Sequence, residues 1–539
     1  MQRKLLNSIA VAGIVFGLCA GALRSAEKKP VQHFQTSDRC QACHNSLTTS
    51  TGEDVSIGLS WRTSMMANSG RDPYWMAGVR REVTEHPESQ KAIEDECTIC
   101  HMPMMRYQAH TEGRMGEVFS HLPVDMSKSE DRLAADGVSC SLCHQITPDK
   151  LGTRESLVGG FVVDTSKPKG QKVVYGPYKI DEGHQTVMRT SSGGWKPTEG
   201  EQIRKSELCA TCHTLITKAL GPDGKEIGSL PEQMPYQEWF HSDYKETKSC
   251  QSCHMPVVEE KTAVTRVLGG AREGMSRHTF IGGNFFLQRM LGKYRIQLNV
   301  PAMPNEMESA ADQTIQQLQT DTVKLSISSA EVRAGRLETE VAIENLSGHK
   351  FPTAYPSRRS WLHVTVKDRN GRPVFESGAL EPSGLIKGND NDADPLKYEP
   401  HYTQITAPDQ VQIYEGILFD SSGKPTTGLL SAIRYEKDNR LLPKGFNKAT
   451  ADDEIAVRGS AAQDPNFQGG GDRVAYSIAL GNSQGPYQIE VEMYFQPISF
   501  RWAENLKKFD FFEPKRFVGW YESMSSGSAT VIGKVSATR

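Results

Sequence analysis

The chain has 539 residues, with 62 Lys and Arg against 65 Asp and Glu for a formal charge of −3. That length leaves room for more than one domain. The slightly acidic balance excludes nucleic acid as the partner, because a phosphate backbone calls for a basic surface.

The chain opens as an export signal. Gln2-Arg3-Lys4 is a short basic start, Leu5 to Leu18 carries no charge, and Ala20-Gly21-Ala22 offers small residues at a cleavage site. Residues 1–22 are therefore expected to be removed, Cys19 with them. The apolar run is shorter than the roughly 20 residues that span a bilayer. Leu18 stands where a lipoprotein signal carries a small side chain before its cysteine. No comparable run follows, so no membrane span is expected in the mature chain, which is exported to the periplasm or the cell surface of a Gram-negative-type bacterium.

Residues 23–304 hold the other ten cysteines, and all ten fall into Cys-x-x-Cys-His: Cys40 and Cys43 with His44, Cys97 and Cys100 with His101, Cys140 and Cys143 with His144, Cys209 and Cys212 with His213, Cys250 and Cys253 with His254. Two thiols at this spacing can add to the two vinyl groups of one haem, and the next residue then lies under the iron as its proximal ligand. Zinc knuckles or a disulfide framework would not place a histidine after the second cysteine five times in five. The expected cofactors are five covalently bound haems c. The same stretch is rich in Gly and Pro, with few alternating apolar runs, as when cofactors form much of the core. Short helices are predicted around it: Asp72 is an N-cap with Pro73 at the first position of a helix towards Val83, and Pro87 opens another towards Cys97.

Five irons that are all six-coordinate need five further ligands, and ten histidines remain. His184 and His278, in loops remote from any motif, are the leading distal candidates, followed by His110 and His121 after the second motif and His33 before the first. His86 is expected at an exposed helix start, His241 precedes charged residues, and His363 reads as a structural strand residue. Met65, Met66, Met102, Met104 and Met105 could supply a thioether, or fill gaps between haem faces.

A connecting helix is expected over 305–321, and from 322 the apolar period changes to two. Val323 to Ser328, Leu337 to Ile343, Trp361 to Val366, Gln412 to Tyr414, Tyr476 to Leu480 and Tyr487 to Tyr494 read as half-buried antiparallel strands, with a turn at Asn370-Gly371. Residues 322–539 are thus expected to form a β-sandwich-like domain with a long irregular insertion between about Glu376 and Asp472. The fold class is α+β and multidomain: an irregular, helical pentahaem cytochrome domain followed by an all-β sandwich-like domain.

Several stretches resemble multihaem c-type cytochromes related to cytochrome c554: Trp61 to Asn68, Arg71 to Trp75, Cys97 to Met104, Asp136 to Cys140, Ser206 to Cys209 and Cys250 to Pro256. Gly348 to Thr353 and Asp438 to Pro443 are similar to segments of the same bacterial proteins. The resemblance implies electron transfer in the periplasm or at the cell surface, and supplies no substrate. Pentahaem nitrite reductases carry a Cys-x-x-Cys-Lys motif and a helical C-terminal half, which this chain lacks.

An electron carrier is the expected function. The alternatives are a reductase or oxidase of a small nitrogen or sulfur compound at one five-coordinate haem, with His349, Arg358 and Arg359 as speculative proton donors, and a structural component of a surface electron conduit. Losing Arg3 and Lys4 takes the charge to −5, and the propionates of five ferric haems would take it to roughly −10. Redox proteins with basic surfaces are the expected partners, docked in one reading through the β-domain.

Overall fold

The structure, a computed structural model, describes residues 31–539 except Lys169, and His33–Arg539 form one compact unit. The export signal expected at 1–22, with Cys19, lies outside the described residues. Helices and sheets both build the chain. Among the described residues no helix is long and apolar enough to cross a membrane.

The N-terminal half is short helices and small two-stranded ribbons. Helix Pro73–Glu85 starts as its sequence predicts: the Asp72 carboxylate accepts from the Tyr74 and Trp75 N–H groups at 2.8 and 3.2 Å, and Pro73 takes the first position. Pro87 opens a 3₁₀ turn, and helix Gln90–His101 follows, carrying the second Cys-x-x-Cys-His at its C-terminal end. The connecting helix spans Pro304–Asp321 and buries Met307, Ala311, Thr314 and Leu318, which recur at helical spacing on one face. At its start the Met303 N–H donates to Glu306 Oε2 at 2.9 Å.

From Val323 the chain builds two sheets. The first orders the short strand Gln404–Ile405, then β7 (Gly471–Ala479), β2 (Arg336–Asn345) and β1 (Val323–Arg333). The second runs β5 (Ile413–Asp420), β3 (Arg359–Lys367), β8 (Gln488–Gln496), β9 (Thr530–Thr538), with β4 (Pro373–Ser377) also on β3 and β6 (Ala432–Asp438) on β5. Alternation sets which side chains enter the core: Leu337, Val341 and Ile343 of β2 share one apolar cluster with Leu362, Val364 and Val366 of β3 and Ile489, Val491 and Met493 of β8. Each such fully buried side chain contributes about 1.5–3 kcal/mol.

The stretch read as an irregular insertion is part of this architecture. Residues Ile413 to Leu418 of β5 are buried without alternation, since both faces of the strand are covered, and β5 pairs with β3 and with β6. A period-two reading therefore found only its start, Gln412 to Tyr414, and missed the rest of the strand. Strand β9 and helix Phe512–Glu522 were also illegible as elements; that helix lies on Pro73–Glu85, where Arg80 holds Glu513 at 2.8 and 3.0 Å. His86 is buried rather than exposed, because the loop before β6 covers it: Leu429 and Leu430 N–H groups donate to Glu82 at 3.0 and 3.3 Å, and Ser431 lies 3.4 Å from His86 Nε2.

Candidate functional site

All ten motif cysteines and all five motif histidines line one continuous cavity of about 1740 Å³. That exceeds the roughly 300–1,000 Å³ of a pocket for a single small molecule. The ten thiols are free, so the motifs do not form disulfides. Short helices bring each motif to the wall: Asp38–Gln41, Gln90–His101, Cys140–Cys143, Ser206–Ala210 and Cys250–His254.

The motifs also meet one another. The Cys40 thiol adjoins that of Cys140, Cys100 that of Cys212, and Cys209 that of Cys250. Cys143 lies close enough to Cys212 to feel its charge. The first motif thus neighbours the third, and the fourth neighbours the second, third and fifth.

Ring orientation follows from one repeated contact. Nδ1 of His44 faces Val264 O at 2.6 Å, that of His101 faces Ser69 O at 3.0 Å, that of His144 faces Tyr175 O at 2.5 Å, and that of His254 faces Ile281 O. A carbonyl only accepts, so Nδ1 carries the proton and Nε2 is left as a ligand nitrogen. Burial pushes His101 and His213 down to about 4 and also lowers His44 and His144, which keeps these rings neutral. Trp75 stacks on the His101 ring with centroids 4.4 Å apart.

Two further histidines face motif histidines across the cavity. His278 lies opposite His144 with ring centroids 6.3 Å apart and planes 18° from parallel, and His349 lies opposite His254 at 6.2 Å and 13°. Two imidazoles bound to one metal ion from opposite sides, each through a bond of roughly 2.0–2.1 Å, place their centroids roughly 6 Å apart. Both facing rings donate Nδ1–H to a carbonyl, His278 to Ser276 at 3.0 Å and His349 to Lys350 at 2.9 Å. The thiols, the oriented nitrogens and these two separations fit c-type haem.

The other distal candidates lie outside the cavity lining. His33 is buried, its N–H donating to Gln108 Oε1 at 2.9 Å. His110 Nε2 meets Asp95 at 2.6 Å, His121 Nδ1 meets Asp131 at 2.8 Å, and exposed His184 is held between Asp181 at 2.5 Å and Leu268 O at 2.9 Å. Met65 and Met66 line the cavity, whereas Met102, Met104 and Met105 are buried in the apolar core behind its wall, with Phe34 and Val79. Arg359 turns away from the cavity to Asp392, at 2.8 and 2.9 Å.

Sequence reasoning named His349 as a proton donor and did not place it among the leading distal candidates, although it faces a motif histidine. The available signal was its place in Gly348 to Thr353, beside a buried ionic network. Lys350 Nζ reaches Asp438 at 2.6 Å, Arg440 clasps the same carboxylate at 2.8 and 2.9 Å, and Arg440 Nη1 lies 3.1 Å from Glu238. Glu238 belongs to the helix Pro235–Phe240 beyond the fourth motif, and it also accepts from Lys350 N–H at 3.2 Å and Thr353 Oγ1 at 2.5 Å.

One other buried group has metal-ligand character. His401 Nε2 lies 3.0 Å from Asp464 and 3.8 Å from Asp472. Its Nδ1, however, accepts from Gln412 and Asn439 amides at 2.8 and 3.1 Å, with Asn439 oriented by Ile413 O and Glu415 N–H. The proton is therefore on Nε2, directed at the carboxylates, and the cluster is a closed hydrogen-bonded network. His401→Ala is expected to cost about 1–3 kcal/mol in denaturant unfolding, with haem content unchanged.

Comparison with known proteins found one solved structure, a penta-heme cytochrome c552 from Thermochromatium tepidum, with a TM-score of 0.54 and 16% identity over 95% of this chain and 100% of that one. At that identity the likeness speaks to the fold, and it does not single out the cytochrome c554 group. No protein-family model matches the chain, and no curated protein does.

Proposed function

We propose that this chain is an exported multihaem c-type cytochrome that carries electrons between redox partner proteins. The observation that carries the reading is the single cavity lined by ten motif thiols and five motif histidines. Bound haem would supply reversible one-electron chemistry at iron. The cysteines would anchor five such groups covalently, His44, His101, His144, His213 and His254 would ligate them from one side, and His278 and His349 would complete two of them.

The protein's own part is to hold neighbouring anchors side by side. The adjoining thiols link all five motifs into one connected set, with the fourth at its branch point. A set without gaps suits stepwise electron passage. Partners would dock where the cavity reaches the surface, and the β-rich half, which closes over His254 through His349, suits a docking role as well.

Chain matured together with its haem-attachment system is expected to give five haems per polypeptide by pyridine haemochrome assay, and a mass raised by five haems. A ratio near zero would remove the reading. Serine at both Cys209 and Cys212 is expected to lower the count to four.

A second reading, reduction of a small nitrogen or sulfur compound at a five-coordinate iron, has one observation in its favour. Among the described residues no second imidazole is paired with His44, His101 or His213 as His278 and His349 are with their partners. Steady-state assays with a reduced dye and a panel of oxyanions test it; turnover no faster than free haem would end it.

A further inference from the structure

Arg358 is half-buried and differs from Arg359 and Arg440, the two fully paired arginines near it in the β-rich half. Arg359 is neutralised by Asp392, and Arg440 by Asp438 and Glu238. Arg358 instead lines the cavity and spends its hydrogen bonds on neutral oxygens, Nη1 on Thr353 O at 2.9 Å and Nη2 on Asn284 Oδ1 at 3.4 Å. Among the described residues no carboxylate lies within ion-pair distance of it.

Its charge bears on His213 and His349, which places the guanidinium beside the fourth and fifth motifs. The neighbouring imidazoles are neutral and offer it no counter-charge. Burial alone draws the Arg358 guanidinium down to about 10, with no acid opposing it. A cation held partly out of water with no counter-charge favours an anionic partner. Its two anchoring contacts, meanwhile, fix the guanidinium plane with further N–H donors to spare.

The geometry points to an anion-binding site at Arg358, taking one carboxylate or small oxyanion against the guanidinium between His213 and His349. A carboxylate suits the planar fork, which can donate two parallel N–H bonds to it. Asn284, which also lines the cavity, accepts from one arm of the fork at 3.4 Å. The anion has two possible sources, a propionate of a haem held by the fourth or fifth motif, or a free anion entering from solvent. The first source rests on the haem reading; the second does not.

The test uses the mature holoprotein, its Arg358→Gln variant, and sodium formate as the free-anion probe. If formate binds the wild type saturably, by difference spectrum or calorimetry, and binds Arg358→Gln at least tenfold more weakly, the site takes an exogenous anion. If formate has no effect but Arg358→Gln lowers the midpoint potential of one haem and leaves the rest in place, the site holds a propionate. Either result supports the proposal. Formate binding and all midpoint potentials unchanged by the substitution would overturn it. Should Arg358→Gln fail to accumulate, a holoprotein structure decides: a carboxylate or oxyanion oxygen within hydrogen-bond distance of the guanidinium supports the site, and water alone there overturns it. A haemochrome assay on the same sample keeps failure of the haem reading distinct, because the formate arm stands without it.

Discussion

Asp438→Ala is expected to lower the stability of the protein by about 3–5 kcal/mol, the usual effect of breaking a buried ion pair. The carboxylate is 3% exposed and meets Lys350, itself 0% exposed, and Arg440. Removing it leaves two buried cations with only Glu238 between them. Burial by itself would raise the Asp438 carboxyl, but Arg440 and Lys350 overcome that and hold it well below the usual carboxylate range. Its folded-state pKa is thus depressed, so its contribution is present at neutral pH and is lost as pH falls below the unfolded carboxylate value of about 3.9 towards the folded one. Urea unfolding of wild type and variant at pH 7 and pH 3 measures this directly. A difference below about 1 kcal/mol at pH 7 would show that the network does not brace the fold.

The second large effect concerns ligation. His349→Ala is expected to convert one haem of the ferric holoprotein from low spin to high spin and to open it to one equivalent of cyanide, and His278→Ala is expected to do the same to a different haem. His110→Ala and His184→Ala leave the spin state unchanged, since those rings are engaged by Asp95 and Asp181 away from the cavity. EPR and visible spectra of the four variants decide the matter. A His349→Ala spectrum identical to wild type would remove this residue as a ligand. Because Lys350 follows His349 directly, Asp438→Ala is expected to show a smaller high-spin fraction of the same kind.

How much of this was legible in the sequence follows from the range of each signal. The motif cysteines and histidines needed only local spacing, and so did the Asp72 cap with Pro73 and the half-buried strands β2, β3 and β8, whose alternation is carried by their own residues. Strand β5 was legible only at its start, because burial on both faces erases period two, and β9 was obscured because small residues such as Gly533 and Ala537 weaken its apolar signal. The facing histidines were beyond local reading. His278 is 134 residues from His144, and His349 is 95 from His254; nothing in the neighbourhood of either one names its opposite. His110 and His121 looked favourable because they are near a motif in sequence, but helix Pro103–Thr111 and the turn at Phe119–His121 carry them onto Asp95 and Asp131 instead.

The order of the chain gives the ionic brace at Lys350 a further meaning. Every motif cysteine precedes residue 254, while His349, Thr353 and Arg358, which line the cavity from the β-rich half, all follow residue 348. In a polypeptide emerging from its N-terminus, the anchoring thiols are presented while the closing half is still being delivered, so the cavity can be filled before it is shut. Glu238 waits in the early half for Lys350 and Arg440 to arrive from the late half. The brace thus joins an early and a late part of the chain, and it can form only after both have been made.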